Sequence, residues 1–331
     1  MLQTGNMKID QKENQIEMKS SFFEVLAGSD LPPAQLPVMS VKARCSGPAI
    51  WLTACAHGDE VGGVVVIQEV FHQIRKSLIK GSVEAVLLMN PTGFAAGSRY
   101  IGYSGEDLNR CFPGNPNGSL GERIADQIFR RITDTAPGLV MDLHNDWKRS
   151  VPYVVLEPQT CDFPASTHGA SKKIGEAAGF YLIEDTDDQK GCLSSNLLIK
   201  GIPALTLELG ESFVVNERFV QYGVQSILNV LTYLQMIPCF PRLAPFPLHD
   251  QYGRGKVLKY SDRPRCSQAG ILRFFVKPGD LVEKGQPVAR VFDFFGRLRE
   301  TLTANGPAII LGTSDSSVAY PGMAPVAYGT F

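Results

Sequence analysis

The sequence predicts an α/β fold in which helices flank a mixed sheet, followed by a small C-terminal all-β domain. Up to about residue 236, short apolar runs typical of buried strands alternate with segments whose apolar residues recur at helical spacing. Beyond Pro238 this alternation gives way to a proline-rich linker and then to short β-type runs punctuated by glycine. We therefore predict a flexible leader over residues 1–20, a larger α/β domain over 21–240 and a small β-domain over 241–331.

Each element of the larger domain has its own signal in the sequence. Residues 38–43 alternate as a half-buried strand does, and Asn90-Pro91 closes the apolar run 83–89, because a residue before proline leaves the helical region. The predicted strands cover 38–43, 49–54, 83–89, 138–143, 153–156 and 204–207, with a short one near Tyr181, and the predicted helices cover 61–79, 120–132, 167–178 and 218–236.

The C-terminal segment 269–289 resembles the small β-sandwich of lipoyl and biotinyl carrier domains. A carrier of this kind places a modifiable lysine on the next hairpin. Here that stretch, residues 291–296, reads Val-Phe-Asp-Phe-Phe-Gly and contains no lysine. The resemblance therefore implies the fold without a covalent cofactor, and we expect the β-domain to narrow the mouth of the active site or to form an oligomer contact.

Composition restricts the partners and the compartment. The chain of 331 residues has 32 basic and 33 acidic side chains, a balance that does not favour binding to nucleic acid or to an anionic membrane. Its seven cysteines are scattered and include no CxxC pair, which is typical of reduced thiols in a cytoplasmic protein. The first twenty residues do not resemble a signal peptide, and no apolar run is long enough to span a bilayer. We expect a soluble cytoplasmic protein.

His57, Glu60 and His144 are the first candidates for a functional site. His57 and Glu60 lie three residues apart just after the apolar run 49–54, so a strand that turns there into a helix directs both side chains to one side. His144 ends the run 138–143, and functional residues in such sheets gather at the carboxyl ends of strands. Two histidines and one carboxylate with an open fourth position are typical of catalytic zinc, whereas structural zinc prefers four ligands, mostly cysteine. The pattern predicts one zinc ion per chain.

A buried carboxylate beside such a metal would be a natural general base. Glu208 ends the buried run 204–207, and burial raises the pKa of a carboxyl group toward the range in which it accepts a proton. Glu211 is the competing candidate. Asp142 lies two residues before His144 on the same side of the strand, and it is either a group that orients His144 or a structural cap.

Three further candidates lie in a glycine- and asparagine-rich segment whose low periodicity predicts a loop: Arg99, Asn109 and Arg110. A guanidinium group binds a carboxylate through two parallel hydrogen bonds. A cation near the metal also stabilises the oxyanion that forms when water adds to a carbonyl group.

Several motifs together resemble the succinylglutamate desuccinylase/aspartoacylase family, which is related in fold to the zinc carboxypeptidases. The resemblance covers about residues 50–235, and the motifs that carry it are His57-Gly58-Asp59-Glu60, Asn90-Pro91, Asp107-Leu108-Asn109-Arg110-Cys111-Phe112-Pro113-Gly114, Asp142-Leu143-His144 and Glu208-Leu209-Gly210.

The family resemblance implies a role for each candidate residue. It places zinc on His57, Glu60 and His144 and makes Glu208 the base that activates the metal-bound water. Asn109 and Arg110 would hold a carboxylate of the substrate. Arg99 matches the oxyanion-stabilising arginine, although residues 102–105 lengthen the gap before the Asp-Leu-Asn-Arg motif.

The predicted function is zinc-dependent hydrolysis of the amide bond of a small N-acyl amino acid or a related molecule that carries a carboxylate. Two alternatives remain: a zinc carboxypeptidase that acts on peptides, and a zinc-binding regulatory protein without catalysis. A closed pocket favours small acyl amino acids, whereas an open groove favours peptides. The added β-domain is also compatible with a homo-oligomer.

Overall fold

The computed structural model describes residues 16–26, 34–160, 162–186, 190–239, 245–250, 252–253 and 255–331. Most of the predicted leader, residues 1–20, therefore lies outside the described residues. Its last part does not: a strand begins at Glu17 and pairs with the next strand of the chain.

Strands and helices alternate through the first part of the chain, and further strands follow. Among the helices of the described ranges, none is long and apolar enough to cross a membrane. In chain order the elements are β1 (Glu17–Val25), β2 (Ala34–Lys42), β3 (Ala49–Ala54), α1 (Gly62–Ile74), β4 (Ser82–Val86), α2 (Pro91–Ala96), a 3₁₀ helix (Leu108–Arg110), α3 (Leu120–Thr133), β5 (Leu139–Asp146), β6 (Arg149–Ser150), β7 (Tyr153–Leu156), α4 (Ala165–Ala178), β8 (Tyr181–Glu184), α5 (Leu193–Ile199), β9 (Ala204–Glu211), α6 (Glu217–Tyr233), β10 (Val257–Ser261), β11 (Gly270–Phe274), β12 (Leu281–Val282), β13 (Pro287–Phe292), β14 (Leu298–Thr303), β15 (Ala308–Thr313), β16 (Val318–Ala319) and β17 (Val326–Thr330).

The larger sheet is mixed, as the sequence predicts. Its strands run in the order β1-β2-β4-β3-β5-β9-β7-β8-β10-β17-β15-β12, with β6 paired to β15. At its centre β4, β3, β5 and β9 are parallel, whereas β2 pairs antiparallel with β4 and β7 pairs antiparallel with β9. The carboxyl ends of β3, β5 and β9 therefore meet at one edge of the sheet.

Helices cover both faces of this sheet, so its central strands are buried on both sides. Ile50 and Leu52 of β3 pack into the core beneath α1, α4 and α6, while Trp51 between them packs into the core beneath α3 and α5. Successive side chains of a strand point to opposite faces of the sheet. Because both faces are covered, every residue of a central strand is buried, and such a strand is a continuous apolar run in the sequence.

The predicted long helices are present, with differences at their ends. The first helix stops at Ile74, whereas the apolar pattern extended to 79 because Leu78, beyond the helix, is also buried. The last one stops at Tyr233, and Gln235 then adopts a positive φ of 55°. The short helices α2 and α5 were missed because they contain only 6 and 7 residues, too few to show a helical repeat.

The C-terminal region is all-β, as predicted. Strands β14, β13, β11 and β16 form a second sheet, and its side chains share a core with residues of β12, β15 and β17 in the larger sheet. The turn between β13 and β14 consists of residues 293–297, whose only charged side chains are those of Asp293 and Arg297. Because β10 pairs with β8, the larger sheet contains strands from both sides of residue 240. The division into domains at that residue stays a prediction.

Gly58 offers a test of the packing that supports the turn after β3. A Cβ atom on this residue would lie 1.9 Å from the carbonyl carbon of Gly93 and 2.1 Å from the nitrogen of Phe94, both in the backbone. We expect Gly58→Ala to lower the free energy of unfolding by roughly 1–3 kcal/mol, the usual cost of overpacking. Urea denaturation of the purified protein measures this difference.

Gly169 provides the matched control, since it lies in α4 and a Cβ atom there would meet nothing within 4 Å. Gly169→Ala should leave the stability unchanged or raise it by up to about 1 kcal/mol through helix propensity. Equal stability of the Gly58→Ala variant and the wild type would contradict the described packing.

Candidate metal centre and active-site cavity

The sequence-predicted residues meet at the edge of the sheet where β3, β5 and β9 end. His57 follows β3 by three residues, His144 lies two residues before the end of β5, and Glu208 lies in β9. The register of β5 and β9 pairs His144 directly with Glu208. Strand pairing therefore brings His144 and Glu208 together, although they are far apart in sequence.

A tight turn after β3 brings His57 and Glu60 to the same side. Cys55 has a positive φ of 56°, and the amide of Glu60 donates a hydrogen bond to the carbonyl oxygen of His57 at 3.2 Å. Asn90 supports this turn from the side, since its Nδ2 donates to the carbonyl oxygen of Ala56 at 3.3 Å. The same asparagine caps α2 by accepting from the amide of Gly93.

His57, Glu60 and His144 form a compact and buried cluster. Their metal-ligating atoms all lie within 4.8 Å of one another. Nδ1 of His57 lies 2.7 Å from Oε1 of Glu60, and Nδ1 of His144 lies 2.7 Å from Oε2 of the same carboxylate. The two imidazole rings therefore present the same nitrogen to one carboxyl group.

The opposite nitrogen of each ring contacts a second carboxylate. Nε2 of His57 lies 3.0 Å from Oδ1 of Asp107, and Nε2 of His144 lies 2.9 Å from Oδ2 of Asp142. Asp142 is itself fixed by the hydroxyl group of Thr53, which donates to Oδ1 at 2.6 Å. Such carboxylate contacts keep a proton on Nε2 and leave the Nδ1 lone pairs available to a metal.

The electrostatics of the cluster agree with a cation site. Burial lowers the pKa of His144, but the carboxylates of Asp142 and Glu60 outweigh it and hold that pKa well above its usual value. Burial raises the pKa of Glu60, whereas the two neighbouring imidazoles hold it far below its ordinary range. The negative charge that favours a proton on His144 would equally favour a metal cation at this place.

The donor set fits zinc. Two imidazole nitrogens and one carboxylate are the protein ligands of many catalytic zinc sites, which keep a further position open. His57, Glu60 and His144 would hold the ion, and Asp107 and Asp142 would orient the two histidines.

Glu208 lies beside this cluster and is partly buried. Its Oε2 atom is buried without a hydrogen-bond partner among the described residues. Burial, reinforced by the nearby carboxylate of Asp146, raises the pKa of Glu208 well above its usual value. The competing candidate Glu211 lies elsewhere, where its Oε2 accepts a hydrogen bond from Asn216.

Arg99 reaches the cluster despite the lengthened loop that follows it. The extra residues close a turn in which the amide of Ile101 donates to the carbonyl oxygen of Glu106 at 2.9 Å. The guanidinium group of Arg99 contacts Oδ2 of Asp107 at 2.8 Å and lies 3.6 Å from Oε1 of Glu60. A positive charge therefore stands at the rim of the candidate metal site.

Asn109 and Arg110 belong to the 3₁₀ helix and differ in their surroundings. Asn109 is buried, with Nδ2 3.3 Å from Nε2 of His144 and Oδ1 accepting from the amide of Leu193 at 3.0 Å. Arg110 is exposed, and its Nη1 donates to the carbonyl oxygen of Asn109 at 2.7 Å. Both side chains line the cavity described next.

A cavity of about 230 Å³ opens beside the cluster and is lined by all seven sequence-predicted site residues. This volume is below the roughly 300 Å³ at the lower limit of typical ligand pockets. Asp185, Cys192 and Ser194 also line the cavity, while residues 187–189 lie outside the described part.

Sequence reasoning missed several residues of the site. Asp107 belongs to the Asp-Leu-Asn-Arg motif, but no role was predicted for it from the sequence. Its position two residues before Asn109 was the one sequence feature that pointed to the site. Asp146, Tyr153 and Glu157 follow from the path of β5 and β7, and Tyr260 comes from β10, beyond the predicted domain boundary. No local pattern marks these four residues, because only the tertiary fold brings them to the cavity.

Comparison with known proteins agrees with the motifs. The succinylglutamate desuccinylase/aspartoacylase catalytic domain matches residues 46–234 of the chain. The chain belongs to this family. A curated relative in Halomonas elongata, N-alpha-acetyl-L-2,4-diaminobutyric acid deacetylase, is 29% identical over 280 residues, which are 78% of this chain and 74% of the relative.

Solved structures share the fold of this family member. The product-bound ectoine utilization protein EutE (DoeB) from Ruegeria pomeroyi aligns with a TM-score of 0.80 over 95% of both chains at 22% identity. A metallo-carboxypeptidase from Burkholderia cenocepacia aligns with a TM-score of 0.53 over 68% of this chain and 66% of its own, at 15% identity. The predicted likeness to the carboxypeptidase fold is confirmed.

Zinc binding to the metal-free protein at pH 7 should release about one proton, because the metal replaces the proton that the raised pKa keeps on His144. Calorimetric titration in two buffers of equal pH but different ionisation enthalpy measures the number of protons released.

The variant His144→Ala should lose high-affinity zinc binding, whereas His72→Ala, which changes an exposed histidine of α1, should keep it. Stoichiometric binding with the same heat in both buffers would show that no proton is displaced and would contradict the described protonation.

Proposed function

We propose that the chain is a zinc-dependent hydrolase that cleaves the amide bond of a small N-acyl amino acid. The observation that carries this proposal is the pairing of the buried His57-Glu60-His144 cluster with Glu208, whose buried Oε2 has no partner among the described residues. Family membership and the deacetylase relative support the reaction class. The deacetylase relative also supports a small acyl amino acid as the substrate.

In the proposed mechanism His57, Glu60 and His144 hold the zinc ion. A zinc ion bound there would polarise the amide carbonyl group and would lower the pKa of a bound water molecule toward neutrality. Glu208 accepts the proton of the attacking water and later returns it to the leaving amine. The raised pKa of Glu208 suits the first step, because a carboxylate with a higher pKa is a stronger base and accepts the proton of the water more readily.

Two arginines complete the proposed mechanism. Arg99, at the rim of the cluster, stabilises the negative charge that develops on the carbonyl oxygen as water adds. Arg110, which is exposed and lines the cavity, binds the carboxylate of the amino acid. Asn109 holds the backbone next to Arg110 in place, because its side chain accepts a hydrogen bond from the amide of Leu193 and its carbonyl oxygen accepts one from Arg110. The substrate is thus held at both ends of the scissile bond.

The small cavity favours this proposal over a carboxypeptidase. A peptide needs room for several residues on the acyl side of the scissile bond, whereas a volume of about 230 Å³ suits a small molecule. A regulatory protein without catalysis is also disfavoured, because burial of Oε2 of Glu208 without a hydrogen bond costs stability and is explained by use as a base.

A substrate panel tests the proposed reaction class. Purified protein with about one zinc per chain should hydrolyse N-acetyl or N-succinyl amino acids, lose activity on chelation and recover with added zinc. Dipeptides in the same panel distinguish the carboxypeptidase alternative. Zinc-loaded protein that cleaves only dipeptides would refute the proposal, and so would zinc-loaded protein that cleaves nothing in the panel.

The variant Glu208→Gln tests the proposed base. Glutamine has the same size but cannot accept the proton, so we expect kcat to fall by about 10²- to 10⁴-fold while zinc content stays at the wild-type level. Glu211→Gln serves as the matched control, since Glu211 is bonded to Asn216 and does not line the cavity, and it should keep the wild-type kcat. Full turnover by Glu208→Gln would exclude the assigned role.

A further inference from the structure

Glu157 is a buried carboxyl group of the cavity that the proposed mechanism does not use. It follows directly after β7, and the residue is 5% exposed. Its Oε1 accepts a hydrogen bond from the hydroxyl group of Ser194 at 2.6 Å and one from the thiol of Cys192 at 3.3 Å. Within the described residues, Oε2 takes part in neither a hydrogen bond nor an ion pair.

The surroundings of Glu157 disfavour its negative charge. Burial raises its pKa, the hydrogen bonds from Ser194 and Cys192 counteract this, and the carboxylate of Asp185 on the same cavity raises the pKa further. A buried carboxylate is retained at low cost only when a cation or further donors stabilise it. Within the described part of the chain Glu157 forms no ion pair, and the attraction of Arg110 is the weakest influence on its pKa, so a cationic ligand in the cavity would supply the missing positive charge.

Arg110 and the partners of Glu157 lie close together. A Cβ atom on Gly191, next to Cys192, would be 2.3 Å from the carbonyl oxygen of Arg110, so the two segments are in backbone contact. The attraction of Arg110 also counts among the influences on the pKa of Glu157, although the two side chains form no ion pair. The cavity therefore presents a cation and a carboxylate as neighbouring binding groups.

We propose, building on the proposed function, that Glu157 determines specificity by binding a positively charged group on the amino acid part of the substrate. Arg110 binds the carboxylate of that amino acid, and Oε2 of Glu157 accepts a hydrogen bond from an ammonium group on its side chain. The substrate class is therefore an Nα-acyl derivative of a short basic amino acid, which carries one carboxylate and one ammonium group.

A purely structural role accounts for only half of the contacts. Cys192 caps α5 and Ser194 lies in its first turn, so Oε1 of Glu157 anchors the start of this helix. That role leaves Oε2 unused, and a neutral glutamine would perform it equally well, because an amide oxygen also accepts from a hydroxyl group. Only recognition of a cation requires the charge.

The test compares pairs of substrates that differ in charge and little in size, such as Nα-acetyl-L-2,4-diaminobutyrate and Nα-acetyl-L-norvaline. We expect the wild-type protein to favour the cationic member in kcat/KM by about 10-fold or more. In Glu157→Gln this preference should fall by about 10- to 100-fold, mostly through KM, which is the usual range for a hydrogen bond between charged groups.

Glu184→Gln is the matched control. Glu184 pairs with Leu156 in the register of β7 and β8, one residue from Glu157, but it does not line the cavity. Removing its charge should leave the preference at the wild-type value. Calorimetric binding of the free amino acids 2,4-diaminobutyrate and norvaline gives a second readout that does not depend on turnover.

The outcomes separate this inference from the proposed function. Equal losses on the cationic and neutral substrates in Glu157→Gln would reduce Glu157 to a structural residue. A wild-type protein that hydrolyses both equally well would overturn the inference and leave the proposed function standing, and this comparison needs no variant to fold. Failure to hydrolyse any acyl amino acid would remove the proposed function and the inference together.

Discussion

The carboxylate of Glu60, buried between two imidazole rings, is the constraint on which the rest of the site depends. Its two oxygens contact His57 and His144, and Oε2 also accepts from the amide of Asn145 at 3.1 Å. Isolated in the protein interior, this negative charge would be costly. It is tolerated because strands β3 and β5 deliver positively polarised groups to it from two directions, so the site and the sheet stabilise each other.

The parallel centre of the sheet explains why these groups meet. In a parallel arrangement every strand ends at the same edge, and a turn at that edge needs only a few residues to direct side chains inward. The turn after β3 directs His57 and Glu60 inward because Cys55 adopts a strained positive φ. Asn90 stabilises the turn by donating a hydrogen bond to the carbonyl oxygen of Ala56. Asp107 and Asp142 would not bind a metal themselves. They orient the imidazole rings of His57 and His144, which would bind it.

The parts of the protein that could be predicted from sequence are those with a local signature. The strands are apolar runs and the long helices are periodic, while His57 and Glu60 lie within one turn of each other, so their proximity follows from spacing. Asp107 was within reach, because its motif was visible and only its contact with His57 was not. Glu157 and Tyr260 could not be found, since a single polar residue in or just after a short strand looks like any surface position until strand pairing places it on a cavity.

Strand β10 has a consequence for how this protein could be altered. It is hydrogen-bonded to β8 on one side and to β17 on the other, and it places Tyr260 on the wall of the cavity. The C-terminal strands are therefore not an exchangeable attachment. A chimaera that takes them from another member of the family would inherit part of its substrate preference, and a chain cut before them would expose β8 as an unpaired sheet edge, with the tendency to aggregate that such edges have.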